Sequence, residues 1–289
     1  MIDARDTALV IEGGGMRNSY TAASIVHLLE KHVQFGWVGG VSAGASHTVN
    51  FLSGDKERAR SSFTDFANNP SFGGVSHFLR GRGYFNAEFI YEKAADKDLP
   101  FDWKTFTESS AQVCISATRA DTGETVNWGR QDMPSLPDLM MRVRASSTLP
   151  LIMPMRLIDD VPFVDGALGD SGGIVIDEAE KAGFSKILFL ATKPRDYVRP
   201  ATQREGFLRR AFFKHPAVAK AMIERPDKYN AAKDRLLTLE KQGRAQLFFP
   251  TDLSVESTER DAEKLLHSYR MGQIQTEKEW PQWAEFLTG

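Results

Sequence analysis

The pentapeptide Gly40-Val41-Ser42-Ala43-Gly44 constrains this chain more than any other segment. It stands between a strand-like run, Phe35 to Val41, and a helix-like run that begins at Ala43. A serine hydroxyl is a poor nucleophile until it is held at a sharp turn beside a base. Glycines two residues before and two after it remove the Cβ atoms that would clash where the backbone bends. They also clear a path to the hydroxyl. The residue after the serine opens a helix, so the Ala43 N–H is a candidate donor to a developing oxyanion.

Upstream, Leu9-Val10-Ile11-Glu12 reads as a buried strand that stops at Gly13-Gly14-Gly15-Met16-Arg17-Asn18. From Ser19 to Lys31, the residues Ala22, Ala23, Val26, Leu28 and Leu29 are spaced roughly as one face of a helix. The order strand, glycine turn, helix, strand, serine turn, helix is a βαβα unit. It predicts a parallel sheet whose turns open at the C-terminal strand edge. There the two turns face each other, one carrying the nucleophile and the other a row of free N–H donors. A dinucleotide site competes for the glycine turn, since G-x-G-x-x-G after a first strand is its fingerprint. Asn18 stands where the third glycine belongs, however, and Arg17 is bulky where helix and strand should meet closely. No acidic residue ends the next strand, whose place is taken by Gly40-Val41-Ser42. An oxyanion-binding turn is favoured over a nucleotide site and over a purely structural turn.

The serine needs a base. The histidines are His27, His32, His47, His77, His215 and His267. The first three lie in or at the end of predicted helices, where a lone histidine is usually a packed or surface residue. A triad in the order Ser, acid, His leaves His215 and His267, and neither follows a strand as such a histidine should. Asp165, in Phe163-Val164-Asp165-Gly166-Ala167, fits better. Met155–Ile158, a turn at Asp159-Asp160 and Val161–Val164 read as a hairpin, and Asp165 follows its second strand. The small neighbours Gly166 and Ala167 let another turn approach its carboxylate. A loop-capping role for Asp165 is the alternative, with Asp170 as a second candidate base.

Taken in order, Glu12-Gly13-Gly14-Gly15-Met16-Arg17, Gly40-Val41-Ser42-Ala43-Gly44 and Asp165-Gly166-Ala167 resemble the patatin-like phospholipases. Arg144-Ala145-Ser146-Ser147-Thr148-Leu149-Pro150 and the helix-to-strand crossover from Ala179 to Leu190 extend the resemblance to about residues 8–195. It implies a three-layer α/β sandwich with a mostly parallel central sheet flanked by helices. It implies a serine lipid acyl hydrolase, of phospholipase, lysophospholipase or carboxylesterase type, that works through an acyl-enzyme. The family uses a Ser/Asp dyad without histidine, cofactor or metal. By position, Ser42 is then the nucleophile and Asp165 the base, with Gly13, Gly14, Gly15 and Arg17 forming the oxyanion site.

The chain departs from the family at Asn18, where glycine is usual. Asn tolerates positive φ, so the turn is expected to keep its shape with Asn18 in that conformation. The same residue motivates an alternative reading, a catalytically silent lipid- or acyl-binding protein. An aspartate near its ordinary pKa of about 3.9 is a weak base for a hydroxyl. Burial behind Pro162-Phe163-Val164 is expected to raise that of Asp165.

At 289 residues the chain can form one large α/β domain or a core with an appendage. The division expected is a catalytic domain over residues 8–195 and a mainly helical extension over residues 196–289. A net charge of −2 supplies no field for nucleic acid, and an acyl-ester lipid is the partner expected. Cys114, the single cysteine, lies in the apolar run Gln112–Ala117 and leaves no internal disulfide. No metal-ligand spacing occurs. The segment Met1 to Asp6 lacks a signal-type apolar stretch, and no run approaches roughly 18 apolar residues, so a cytoplasmic protein is expected. The loops Asn68–Gly74 and Leu79–Phe85, the second with Arg80 and Arg82, either shape access for acyl chain and head group or simply connect. Thr118 to Trp128 reads as a hairpin around Asp121-Thr122-Gly123-Glu124.

After Pro194 the chain changes character. Residues 195–235 hold eleven Lys or Arg against five Asp or Glu. Phe207-Leu208-Arg209-Arg210-Ala211-Phe212-Phe213-Lys214 mixes aromatic and basic residues on a predicted helix. The favoured reading packs its Phe residues on the core and solvates its cations, and the other lays the face on a membrane surface. A further helix is expected over Asp227–Gln242, an edge strand over Ala245–Phe249, and a helical tail through Leu287. The tail resembles the extension of one bacterial branch of patatin-like proteins.

Overall fold

In the computed structural model, which describes residues 1–74, 83–95 and 98–289, the apolar run before the glycine turn ends a longer strand. This strand is β1 (Ile2–Ile11). Then α1 (Asn18–Glu30), β2 (Val33–Val41) and α2 (Ala43–Leu52) complete the expected βαβα unit. β2 lies parallel to β1, with Ile11 opposite Gly40. β3 (Gln112–Arg119), which carries Cys114, lies parallel to β2, and β4 (Thr125–Trp128) returns antiparallel along it. The hairpin expected around Asp159 and Asp160 is β5 (Arg156–Ile158) and β6 (Val161–Asp165), and both turn residues have positive φ. β6 pairs antiparallel with β3. On the other side of β1, β7 (Lys186–Leu190) and β8 (Ala245–Phe248) add in parallel, giving the order β5-β6-β3-β2-β1-β7-β8 with β4 beside β3.

Helices cover both faces, because the central strands are apolar on both. Leu9, Ile11, Leu188, Leu190 and Phe248 share a cluster with Tyr20, Ile25 and Leu28 of α1. Trp283 and Leu287, from the terminal helix, complete it. Their sequence neighbours Ala8, Val10, Ile187, Phe189 and Leu247 point the other way, toward Ile176, Ala179, Tyr229, Leu236 and Leu239. The two-residue period of a strand thus builds the three-layer α/β arrangement. Fully burying a large apolar side chain stabilises by about 1.5–3 kcal/mol.

The remaining helices are α3 (Lys56–Ser61), α4 (Trp103–Glu108), α5 (Leu136–Ser146), α6 (Ile176–Lys181), α7 (Glu205–Ala211), α8 (Pro216–Lys241) and α9 (Ala262–Thr288). α8 corrects the sequence reading, which started a helix at Asp227. It begins at Pro216 and runs through Pro226, where the missing N–H orphans the carbonyl of Met222. Thr202 Oγ1 donates to that carbonyl at 2.9 Å, which is how the helix tolerates the proline. α7 corrects a second point. Only Leu208 and Phe212 pack on the core, while Phe207 and Phe213 remain exposed. Arg80 and Arg82 lie outside the described residues. Among the described residues no helix is long and apolar enough to cross a membrane.

Candidate active site

The serine turn is a single residue. β2 ends at Val41, α2 begins at Ala43, and Ser42 joins them with φ 58° and ψ −126°. A side chain in such a conformation costs on the order of 1–3 kcal/mol, which the surrounding packing must offset. A Cβ on Gly40 would stand 2.5 Å from the Gly44 backbone, and one on Gly44 would collide with the Ile11 carbonyl. The two glycines therefore let the turn press on the end of β1. That is a different service from clearing a path to the hydroxyl. Ser146, at the end of α5, braces the turn from the other side. The Ser42 N–H donates to Ser146 Oγ at 2.9 Å, and the Ser146 hydroxyl donates to the Ser116 carbonyl at 2.6 Å. The sequence placed Ser146 in a matching segment but gave it no role.

The glycine turn lies against the serine turn. A Cβ on Gly13 would stand 2.6 Å from the Val41 carbonyl, and one on Gly14 2.5 Å from Thr192 Oγ1. Gly15 has φ 58° and passes directly beneath the Ser257 carbonyl. The N–H groups of Gly13, Gly14 and Gly15 donate to no backbone carbonyl among the described residues, whereas the Met16 N–H donates to Ser257 O at 2.9 Å. Gly15 and Ala43 line the same cavity as Ser42. Arg17 is engaged in the frame of the site. Its Nε donates to the Thr192 carbonyl at 3.2 Å, and the Thr192 N–H donates to Glu12 Oε2 at 2.6 Å.

Asn18 differs from the expectation. Its φ is −68°, an ordinary helical value, so positive φ falls on Gly15 and not on Asn18. Its side-chain amide donates to the Glu12 carbonyl at 3.1 Å and to Thr21 Oγ1 at 3.2 Å, tying the strand end to α1. The Asn18 carbonyl in turn accepts from His47 Nε2 at 3.0 Å. Burial pushes the His47 imidazole down to about 4, so it stays neutral and structural. No described histidine hydrogen-bonds to Ser42 or Asp165.

Asp165 ends β6 and is 3% exposed. Its Oδ1 accepts the Ala167 N–H at 2.9 Å, its own N–H donates to the Thr148 carbonyl at 2.8 Å, and its carbonyl accepts from Thr118 Oγ1 at 3.2 Å. It therefore caps the turn Gly166–Leu168. Burial drives its carboxyl up from the ordinary value, as Pro162-Phe163-Val164 led us to expect. The Arg225 guanidinium, the Ala167 N–H, the Ser42 hydroxyl and the more distant Arg199 pull it back. Arg225 belongs to α8, and its Nη2 would lie 3.8 Å from a Cβ on Gly173, which itself would touch Ala167. Sequence reasoning missed Arg225, and its only signal was the excess of cations in residues 195–235. Asp170 lies elsewhere, with its side chain 80% exposed and paired to Lys228 at 3.2 Å.

From Ser42 an apolar cavity of about 90 Å³ runs between Phe63, Phe66, Met140 and Met153. Phe72 and Phe85 meet edge to face in its wall with ring centroids 5.7 Å apart, so both loops singled out between the motifs contribute to its lining. Arg58 and Asn50 form a polar element in that wall, with Arg58 Nε donating to Asn50 Oδ1 at 3.0 Å.

Comparison with known proteins gives two family matches. A family described as patatin-like phospholipase matches residues 9–176, and a domain of unknown function, DUF6363, matches residues 215–288. No curated protein matches the chain. Among solved structures, VipD from Legionella pneumophila is similar, with a TM-score of 0.50 and 13% identity over 94% of this chain and 66% of VipD. The chain thus spans somewhat under two thirds of VipD, and at this identity the likeness is one of fold.

Proposed function

The chain belongs to the patatin-like phospholipase family, and on that footing we propose that it is a serine lipid acyl hydrolase working through Ser42 and Asp165. One observation carries this reading: at the mouth of an apolar cavity, a serine on a strained turn meets a buried carboxylate. The cavity accepts the acyl chain of an ester. Ionised Asp165 takes the proton of Ser42 Oγ as that oxygen bonds to the ester carbonyl carbon. The negative charge that develops on the carbonyl oxygen falls to the N–H groups of Gly15 and Ala43, with Gly13 and Gly14 shaping the turn. A donor of this kind is typically worth roughly 2.7–4 kcal/mol. When the ester C–O bond breaks, Asp165 returns its proton to the departing alkoxide. Water then repeats the sequence on the acyl-enzyme and releases the acid.

Arg225 favours the ionised form of Asp165, against the burial that favours the protonated one. We assign this chemistry to residues 8–195. Residues 196–289 cover the core and supply Arg225 and the Ser257 carbonyl. The test is labelling with a fluorophosphonate probe. Wild type is expected to label, Ser42→Ala not at all, and Asp165→Asn at least about 10³-fold more slowly, in line with the loss of a catalytic base. A well-folded wild type that takes no label would move the weight to a lipid- or acyl-binding protein without catalysis.

A further inference from the structure

Phe207 and Phe213 are 59% and 71% exposed, although each sits next to a residue that anchors α7. Leu208 and Phe212 pack under α7 in one cluster with Val164, Leu168 and Val218. Four exposed cations lie near these rings in sequence: Arg204, Arg209, Arg210 and Lys214. Arg209 pairs with Glu205 at 3.5 Å. The other three make no ion pair with a described residue, and Lys214 Nζ hangs 5.7 Å over the Phe213 ring. Val164 immediately precedes Asp165, and Leu168 follows Ala167. The residues that α7 packs on thus flank the candidate base in sequence. On the neighbouring hairpin Met155 packs in the same cluster, and Leu157, two residues on, is 56% exposed.

We propose that this face, Phe207 and Phe213 with Arg204, Arg209, Arg210 and Lys214, docks the protein on a bilayer rich in anionic phospholipid. The inference rests on the acyl-hydrolase reading for its purpose, since a lipid acyl hydrolase acts on a substrate held in such a layer. Its physical basis is separate. Aromatic rings sit favourably at head-group depth, and lysines and arginines near an anionic surface are attracted to it. Exposed rings alone would fit many partners. Exposed rings beside Arg204, Arg210 and Lys214, which make no ion pair with a described residue, fit a surface that is apolar within and negative at its edge.

The experiment is cosedimentation of the full chain with vesicles of phosphatidylcholine, alone or mixed with phosphatidylglycerol. Hydrolysis of a soluble short-chain ester is followed in parallel. Binding is expected to the mixed vesicles, to weaken as salt is raised, and to fall about tenfold in Phe207→Ser/Phe213→Ser. Arg204→Gln/Arg210→Gln should remove the preference for phosphatidylglycerol, and both double variants should hydrolyse the soluble ester like wild type. Equal binding by wild type and variants, or none, would overturn the proposal. So would a wild type that is dimeric where the Phe variant is monomeric, which would give the face to a second copy. Retention on polyglutamate without vesicle binding would likewise overturn it in favour of an acidic protein. Vesicle binding without any ester hydrolysis would leave the docking standing and remove the catalytic reading instead.

Discussion

Ser146 touches no substrate in the proposed mechanism, yet the Ser42 turn depends on its hydroxyl. In Ser146→Ala the Ser42 N–H and the Ser116 carbonyl both lose their partner in a buried place. Each such group costs about 1–3 kcal/mol, so thermal denaturation should show a loss in that range. A loosened turn also misaims Oγ, and kcat on a soluble ester is expected to fall about 10- to 100-fold. KM should change little, because the acyl cavity is untouched. A rise in KM with unchanged kcat would count against the brace. Asp165 makes a prediction in pH. Its folded-state pKa is raised, so the folded protein holds this proton more tightly than the unfolded chain does. The stability it contributes is present at low pH and is lost as pH rises from the unfolded value through the raised one. Activity runs the opposite way, since the base must be ionised. The acid limb of kcat/KM therefore lies above about pH 4, and Arg225→Met moves it higher still. A profile flat down to about pH 4 would contradict this. Asp165→Asn, which removes a buried charge, should melt no lower than wild type at neutral pH.

Among the elements, those with a strong local signal were legible beforehand. The βαβα unit followed from two glycine-rich turns between apolar runs, and the hairpin before Asp165 followed from its paired aspartates. The elements that were misread lack such a signal for physical reasons. The first half of β1 is polar, and Asp3 and Arg5 pair with each other on its exposed face, so only the apolar end announced a strand. α8 was cut short because a proline inside a helix reads as a stop, and the hydroxyl that rescues the carbonyl of Met222 lies twenty residues away in sequence. That bond makes its own prediction. Thr202→Val keeps the shape and removes the donor, and should cost about 1 kcal/mol in denaturant unfolding with no change in ester turnover. No change in stability would mean that Pro226 is tolerated by other means.

For the whole molecule, the sequence carried the proposed reacting groups and left out much of what holds them. Ser42, Asp165 and the glycine turn lie in short motifs whose spacing is visible in one dimension. Arg225, Thr192 and Ser257 reach the site only through tertiary contact, from a helix and two loops far along the chain, and no local pattern marks them. The extension is thus woven into the fold: β8 finishes the sheet, α8 and α9 cover opposite faces, and Ser257 closes over the first turn of the protein. That last contact has a consequence in time. A ribosome releases Ser42 and Asp165 well before residue 257, so a nascent chain carries both candidate groups while Gly15 is uncovered and Met16 lacks its acceptor. Translation thereby acts as a delay, and the glycine turn gains this backbone partner only after residue 257 has emerged.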